Sequence, residues 1–198
     1  MDIKKVIELY KLWDDVYPFL AKWIYELADG SFRTLLELGP FSLGITIEIL
    51  KRYNDISASI ALDSPDLISW MKQEIQKNPY NPQISFINTP LSPLKIPSNS
   101  FDLIIFRGAF FFLKPDILAE INRVLAKGGI AIIGGGFGKT TPQEVIDTIA
   151  LESKRLNKLL GKVVINVDEL KKMADLANIL PKSEIITEGG LWLKVTKK

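Results

Sequence analysis

The chain alternates between two kinds of hydrophobic pattern. Short runs rich in β-branched residues and leucine, Thr34–Leu38, Ser57–Leu62, Ile84–Asn88, Phe101–Phe106 and Gly129–Gly134, are apolar at most positions. Runs of this kind, without in-and-out alternation, mark strands covered on both faces. Between them lie stretches with helical spacing, Leu43–Arg52, Asp66–Lys77 and Pro115–Leu125. Strand–helix–strand repetition predicts a parallel sheet with right-handed crossovers. Two amphipathic helices, near Asp2–Leu12 and Asp14–Ala28, precede the first strand and end at Gly30.

The rhythm changes after the fifth strand. Thr141-Pro142 reads as an N-cap followed by Pro at the first helical position, opening a helix that runs to about Leu160 and stops at Gly161. Asp168 begins a second helix, to about Asn178. Glu184–Thr187 and Leu191–Thr196 then flank Glu188-Gly189-Gly190, the pattern of a hairpin. The expected fold is α/β, a doubly wound mixed seven-stranded sheet with five parallel strands and a terminal antiparallel pair. Its ligands belong beyond the carboxyl ends of the strands, where the strand order reverses. No repeat, low-complexity tract or linker divides the 198 residues, so a single domain is expected. Residues 1–30 form its helical cap, 31–140 its ligand-binding core, and 141–198 the closing helices and hairpin.

Composition narrows the chemistry. The chain has no Cys and no His, which removes disulfides, thiolate nucleophiles, Cys/His zinc sites and a histidine base. Metal ligation is limited to oxygen, and no carboxylate cluster has calcium-loop spacing, so no metal is expected. The first residues are charged and helix-periodic, unlike a signal peptide, and no apolar run is long enough to span a bilayer. With 25 basic against 23 acidic residues, bulk electrostatic binding to nucleic acid is not indicated. A soluble cytoplasmic protein with a small-molecule ligand is the expectation.

The candidate site follows from the first strand's end. Leu35-Leu36-Glu37-Leu38-Gly39-Pro40-Phe41-Ser42-Leu43-Gly44 runs from strand through a glycine-bearing turn into a helix. Such a turn lets backbone approach a ligand and presents free N–H groups at the helix start. The second strand ends at Asp63, placed to accept from ribose hydroxyls. Glu37 and Asp63 read either as ligands of a nucleoside-containing molecule or as strand-end caps.

From Thr34 to Gly134 the sequence resembles the class I S-adenosylmethionine-dependent methyltransferases, especially the small type 11 group. LLELGPFSLG is similar to the family's first motif, and IALDSPDLISWMKQEI to its second, with Asp63 as the ribose-binding acid. Pro97–Ile105 resembles the segment entering the fourth strand, and Ala119–Gly129 the helix and loop before the fifth. The resemblance implies S-adenosylmethionine as cofactor, held by Tyr17, Glu37, Gly39, Phe41, Asp63, Ser64, Pro90, Leu91 and Arg107. Tyr10 and Tyr17 resemble residues that cover the family's pocket, and read equally as core-facing aromatics. Three departures stand out. Phe41 and Leu43 replace the motif's second and third glycines, Asn88-Thr89-Pro90-Leu91 stands where the family often has an adenine-binding acid, and Phe111-Phe112 replaces a common histidine pair.

Methyl transfer suits a chain without His or Cys, because the sulfonium supplies the electrophile and the protein aligns reactants and excludes water. No catalytic residue is identifiable. Arg107, Phe110 and Phe111 follow the fourth strand and are the candidate acceptor contacts; Arg107 either pairs with Glu37 or clamps an anionic group. The expected acceptor is small or medium-sized, and neutral or acidic. The alternative is a degenerate relative that binds a ligand or partner without catalysis. Gly134–Thr140 resembles a phosphate loop but is one residue short, and is expected to be a flexible loop at the pocket mouth. Lys154, Lys158 and Lys162 form a stripe that reads as a solvated face or, less simply, an RNA-docking surface.

Overall fold

The computed structural model describes residues 1–53, 55–78 and 83–198. Helices α1 (Ile3–Leu12) and α2 (Tyr17–Leu27) precede β1 (Thr34–Leu38). Then α3 (Gly44–Arg52), β2 (Ser57–Leu62), α4 (Pro65–Gln76), β3 (Ile84–Asn88), β4 (Phe101–Arg107) and α5 (Pro115–Val124) alternate. The chain closes with β5 (Leu125–Gly135), α6 (Gln143–Leu159), α7 (Val167–Leu176), β6 (Ser183–Ile186) and β7 (Leu191–Thr196).

The seven strands lie in the order β3-β2-β1-β4-β5-β7-β6. Strands β1 to β5 are mutually parallel, β7 runs antiparallel to β5, and β6 antiparallel to β7. The expected hairpin is therefore present, and because it inserts β7 next to β5, β7 alone opposes the other strands. The order reverses between β1 and β4, so a crevice opens beyond the ends of those two strands.

Both faces of the sheet are covered, which explains the unbroken apolar runs. Along β1, Leu35 joins the core under α1, α2, α3, α4 and α6, while Leu36 and Leu38 join the core under α5 and α7. In β4, Leu103 and Ile105 face the first layer, and Ile104 and Phe106 the second. Side chains alternate with period two along a strand. Glu37 therefore shares the face of Leu35, and Arg107 that of Ile105. Glu37 is also the register partner of Ile105. Two ionisable residues are thus brought to one face, at the carboxyl ends of neighbouring strands.

Two boundaries differ from expectation for physical reasons. Strand β5 begins at Leu125, earlier than Gly129, because Phe101 pairs with Leu125 before an irregularity sets the register Leu103 to Ile130. Helix α6 begins one residue later than expected, with Pro142 as its N-cap residue and no side-chain cap. Thr141 instead donates its hydroxyl to the Phe137 carbonyl. Helix α7 starts from a capping box in which Asn166 and Glu169 satisfy each other's backbone N–H.

Candidate active site

The turn after β1 is built around the Glu37 carboxylate. Its Oε2 accepts from Leu43 N (2.9 Å), Thr46 N (3.3 Å) and Thr46 Oγ1 (2.7 Å), so Glu37 caps α3 from the strand end. An anion at a helix N-terminus is favoured by the helix dipole. The arrangement requires Leu43 at φ 103°, in the left-handed half of backbone space, where the family's motif would have glycine. Such a conformation costs a non-glycine residue about 1–3 kcal/mol, and here the complete burial of the Leu43 side chain offsets it. Burial pushes the Glu37 pKa up, against hydrogen bonds from Thr46 and Leu43 and the positive charge of Arg107. The second oxygen, Oε1, is buried with no partner.

Arg107 is only 4% exposed. One terminal nitrogen donates to the Phe41 carbonyl (2.8 Å) and to the Tyr17 hydroxyl (3.2 Å). Its guanidinium lies 4.7 Å from the Trp13 ring centroid, 5.4 Å from that of Tyr17 and 5.8 Å from that of Phe41. An aromatic box of this kind stabilises a cation. No carboxylate forms an ion pair with Arg107 among the described residues, and its Nε is buried without a partner. Glu37 interacts with it through charge alone.

Small residues make this packing possible. The Phe41 ring lies over Gly108, where a Cβ would come within 2.5 Å of it, and packs 4.7 Å from Phe111. Tyr17 covers Gly44, where a Cβ would fall 2.4 Å from the ring. Tyr17 and Phe41 are 2% exposed. Burial and the Glu37 charge push the Tyr17 hydroxyl pKa up, partly countered by Arg107.

Beside this cluster lies a cavity of about 600 Å³ whose wall includes Gly39, Asp63, Ser64, Pro90, Leu91 and Phe111. Ser64 N-caps α4, accepting from Leu67 N, and that helix opens with Pro65. Asp63 is exposed to the cavity and has no hydrogen-bond or ion-pair partner among the described residues, so it does not act as a cap there. Met1 and Ile3 form part of the wall, which the sequence did not single out. A second cavity, of about 680 Å³, lies off the end of β5 and is lined by Trp13, Phe110, Gly135, Phe137 and the lysines of α6. Phe110 and Phe111, adjacent in sequence, face different cavities, so the end of β4 forms a shared wall.

The nine residues expected at the cofactor thus divide into two groups. Gly39, Asp63, Ser64, Pro90 and Leu91 line the first cavity, while Tyr17, Glu37, Phe41 and Arg107 form the buried cluster beside it. Tyr10 packs 5.4 Å from Tyr17 and edge-on to Trp70 at 5.0 Å, in the core. The glycine-rich loop after β5 is tied to the hairpin turn: Gly138 N donates to the Gly189 carbonyl (2.9 Å), and Lys139 pairs with Glu188 at 2.6 Å. Among the described residues no group of three or more carboxylates is placed to hold a metal ion, and no helix is long and apolar enough to cross a membrane.

Residues 36–133, from β1 to β5, match the family model described as a methyltransferase domain. No curated protein matches the chain by sequence. Among solved structures, an S-adenosyl-L-methionine-dependent methyltransferase from Methanococcus maripaludis superposes with TM-score 0.80 at 24% identity, over 100% of this chain and 94% of that one. A SAM-dependent methyltransferase from Aquifex aeolicus gives TM-score 0.70 at 14% identity, over 98% and 97% of the two chains. PigF, solved with SAH, gives 0.64 at 20% identity, over 96% and 67%. Residues 36–133 thus match the methyltransferase-domain family, and the whole chain has the fold of these S-adenosylmethionine-dependent methyltransferases. The cofactor of those neighbours is S-adenosylmethionine.

The residues present fit that cofactor. The open cavity with an unpartnered carboxylate at Asp63 suits a nucleoside. The orphaned Glu37 Oε1 and Arg107 Nε are one buried acceptor and one buried donor of opposite charge on the same face. An α-amino acid end, with its own ammonium and carboxylate, is complementary to such a pair.

Proposed function

We propose that the protein transfers the methyl group of S-adenosylmethionine to a small or medium-sized neutral or acidic acceptor. The observation that carries the reading is the buried, unpartnered pair of Glu37 Oε1 and Arg107 Nε beside the cavity lined by Asp63. Each atom costs about 1–3 kcal/mol or more when buried without a partner, a cost that a ligand reaching both would relieve.

Each group has a defined part. Asp63 accepts from the ribose hydroxyls, Gly39 and Pro40 let the backbone approach, and the apolar wall of Leu62, Pro90 and Leu91 takes the adenine face. Glu37 accepts from the ammonium, and Arg107 donates to the carboxylate. When bound, S-adenosylmethionine would supply an electrophilic methyl group for in-line displacement by an acceptor lone pair, the S–CH₃ bonding pair passing to sulfur. The chain's own contribution is alignment and exclusion of water. Phe110, Phe111 and the Tyr17–Phe41 cluster form the dry wall between the two cavities. A proton carried by the acceptor must depart, and without His or Cys no strong general base is built in. Acceptors that are already anionic at neutral pH suit the site best.

Phe41 controls access in this reading. Its ring covers Gly108 and leans on Arg107, so the amino-acid end reaches Glu37 and Arg107 once the ring turns aside. Isothermal titration calorimetry with S-adenosylmethionine and S-adenosylhomocysteine tests the proposal. Saturable 1:1 binding of both is expected, and binding of neither up to millimolar concentration refutes it.

A further inference from the structure

The second cavity has a chemistry of its own. Its wall carries three aromatic rings, Trp13, Phe110 and Phe137, with Trp13 and Phe137 stacked at 4.8 Å and 10°. Trp13 is fixed by its indole N–H, which donates to Ser153 Oγ at 3.0 Å. The loop after α6 is pinned across the opening by Val163 N, which donates to the Phe110 carbonyl (3.1 Å). Val163 and Val164 on that loop are 55% and 91% exposed, an apolar lip that faces solvent. Lys154, Lys158 and Lys162 complete the lining, and neither Asp nor Glu contributes to it.

The three lysines differ from an ordinary solvated stripe. None of them forms an ion pair among the described residues, whereas Arg155 between them pairs with Glu152 and Glu8. Lys162 is exposed on the loop, and its ammonium lies over Gly135, 4.0 Å from where a Cβ there would stand and on the side of the Phe110 ring. Desolvation and the charge of Arg107 hold its pKa below the usual lysine value. None of the three ammonium groups has a counter-charge among the described residues, and an anionic ligand can supply one. Rings, aliphatic lip and unpaired ammonium together describe a flat apolar body carrying an anion.

We infer that the cavity between the end of β5 and helix α6 is a binding site for an aromatic carboxylate, with the carboxylate on Lys162 and the ring against Trp13, Phe110 and Phe137. That this ligand is also the methyl acceptor rests on the function proposed above; its binding here does not.

The test uses the full chain and 2-naphthoate, with 2-naphthamide as the neutral isostere, titrated calorimetrically without cofactor. Naphthoate is expected to bind at least about tenfold more tightly than the amide, as a charge-assisted hydrogen bond requires. Lys162→Met should weaken naphthoate by about tenfold or more and leave the amide unchanged. Lys171→Met, on α7 and outside the cavity, makes the same change in net charge and should alter neither. Equal affinity for acid and amide, equal loss in both lysine variants, or no naphthoate binding up to millimolar concentration overturns the inference. S-adenosylhomocysteine titrated into the same samples separates the two readings. Naphthoate binding without cofactor binding removes the proposed activity and leaves this site standing; the reverse result does the opposite.

Discussion

Replacing Phe41 with alanine should make the protein less stable and its cofactor affinity higher. The ring is 2% exposed, lies 4.7 Å from Phe111 and covers Gly108. Truncating a buried Phe to Ala costs about 3–5 kcal/mol. At roughly 2–4 °C per kcal/mol for a domain of this size, the melting temperature without ligand should fall by about 6–20 °C. The effect on binding has the opposite sign. If the ring must leave its nest before the amino-acid end reaches Glu37 and Arg107, wild type loses the burial of one Phe side chain on each binding event. That burial is worth about 1.5–3 kcal/mol, so the alanine variant should bind S-adenosylhomocysteine roughly 10- to 100-fold more tightly. Arg107 keeps its bond to residue 41, because the acceptor there is a backbone carbonyl. Phe41→Leu should fall between the two. Calorimetry below the lowered melting temperature measures affinity, and a thermal melt on the same sample measures stability. Unchanged or weaker S-adenosylhomocysteine binding by the folded alanine variant refutes the reasoning, because the ring would then be a wall of the site and no obstacle to it.

Further outcomes follow from the same geometry. Asp63→Ala should weaken adenosine binding by roughly ten- to hundredfold with little change in the ligand-free melting temperature, because the exposed carboxylate has no partner among the described residues; normal adenosine affinity would end its assignment to the ribose. Glu37 has its pKa pushed above the usual carboxylate range, so its protonated form persists at higher pH and cannot receive an ammonium in full charge. S-adenosylhomocysteine binding should therefore weaken as pH falls through that raised pKa while adenosine binding, which involves no ammonium, stays level; parallel profiles for the two ligands would contradict the role. Asp102 behaves oppositely: burial raises its pKa, but hydrogen bonds from Arg33 N, Thr34 N and Thr34 Oγ1 outweigh this and hold it below the ordinary value. It adds stability above its unfolded pKa, and that share is lost as pH falls through the depressed folded one. Urea midpoints for Asp102→Asn should accordingly fall less than those of wild type between about pH 5 and pH 2, and equal slopes would be the negative result.

The sheet was legible because burial on both faces leaves a strong imprint. Leu35 and Leu36 are apolar for different reasons, one under α3 and the other under α5, and the sequence shows both as one run. The position of β7 was less accessible. A hairpin signal around Gly189-Gly190 predicts two antiparallel strands, but which of them joins the sheet depends on long-range pairing of Leu191–Thr196 with Ile130–Gly135. The first cavity was partly legible, through Gly39 and Asp63 at two strand ends. Its Met1 and Ile3 wall was not, since a helix that covers a cavity has the same amphipathic pattern as one that covers a core. Lys162 was visible only as a member of a stripe. That its ammonium lies over Gly135 follows from the loop after α6 folding back onto Phe110, which no local pattern encodes.

The altered glycines are where sequence and structure inform each other most. At position 43 the backbone keeps the left-handed conformation that a glycine would adopt freely, φ 103°, although the residue is leucine. The conformation is retained because it brings Leu43 N and Thr46 N onto Glu37 Oε2, and abandoning it would uncap α3 above a buried carboxylate. Position 41 obeys a different rule. Phe41 does not carry the left-handed geometry, and its ring instead fills space over Gly108 and shields Arg107 from water. One substitution therefore stores strain in the backbone, and the other stores packing energy in a movable side chain. Only the second can be recovered by a ligand, because a ring can rotate out while the turn that holds Glu37 must stay as it is. In the proposed reading, the altered motif thus keeps the charged pair in place and makes access to it conditional on Phe41.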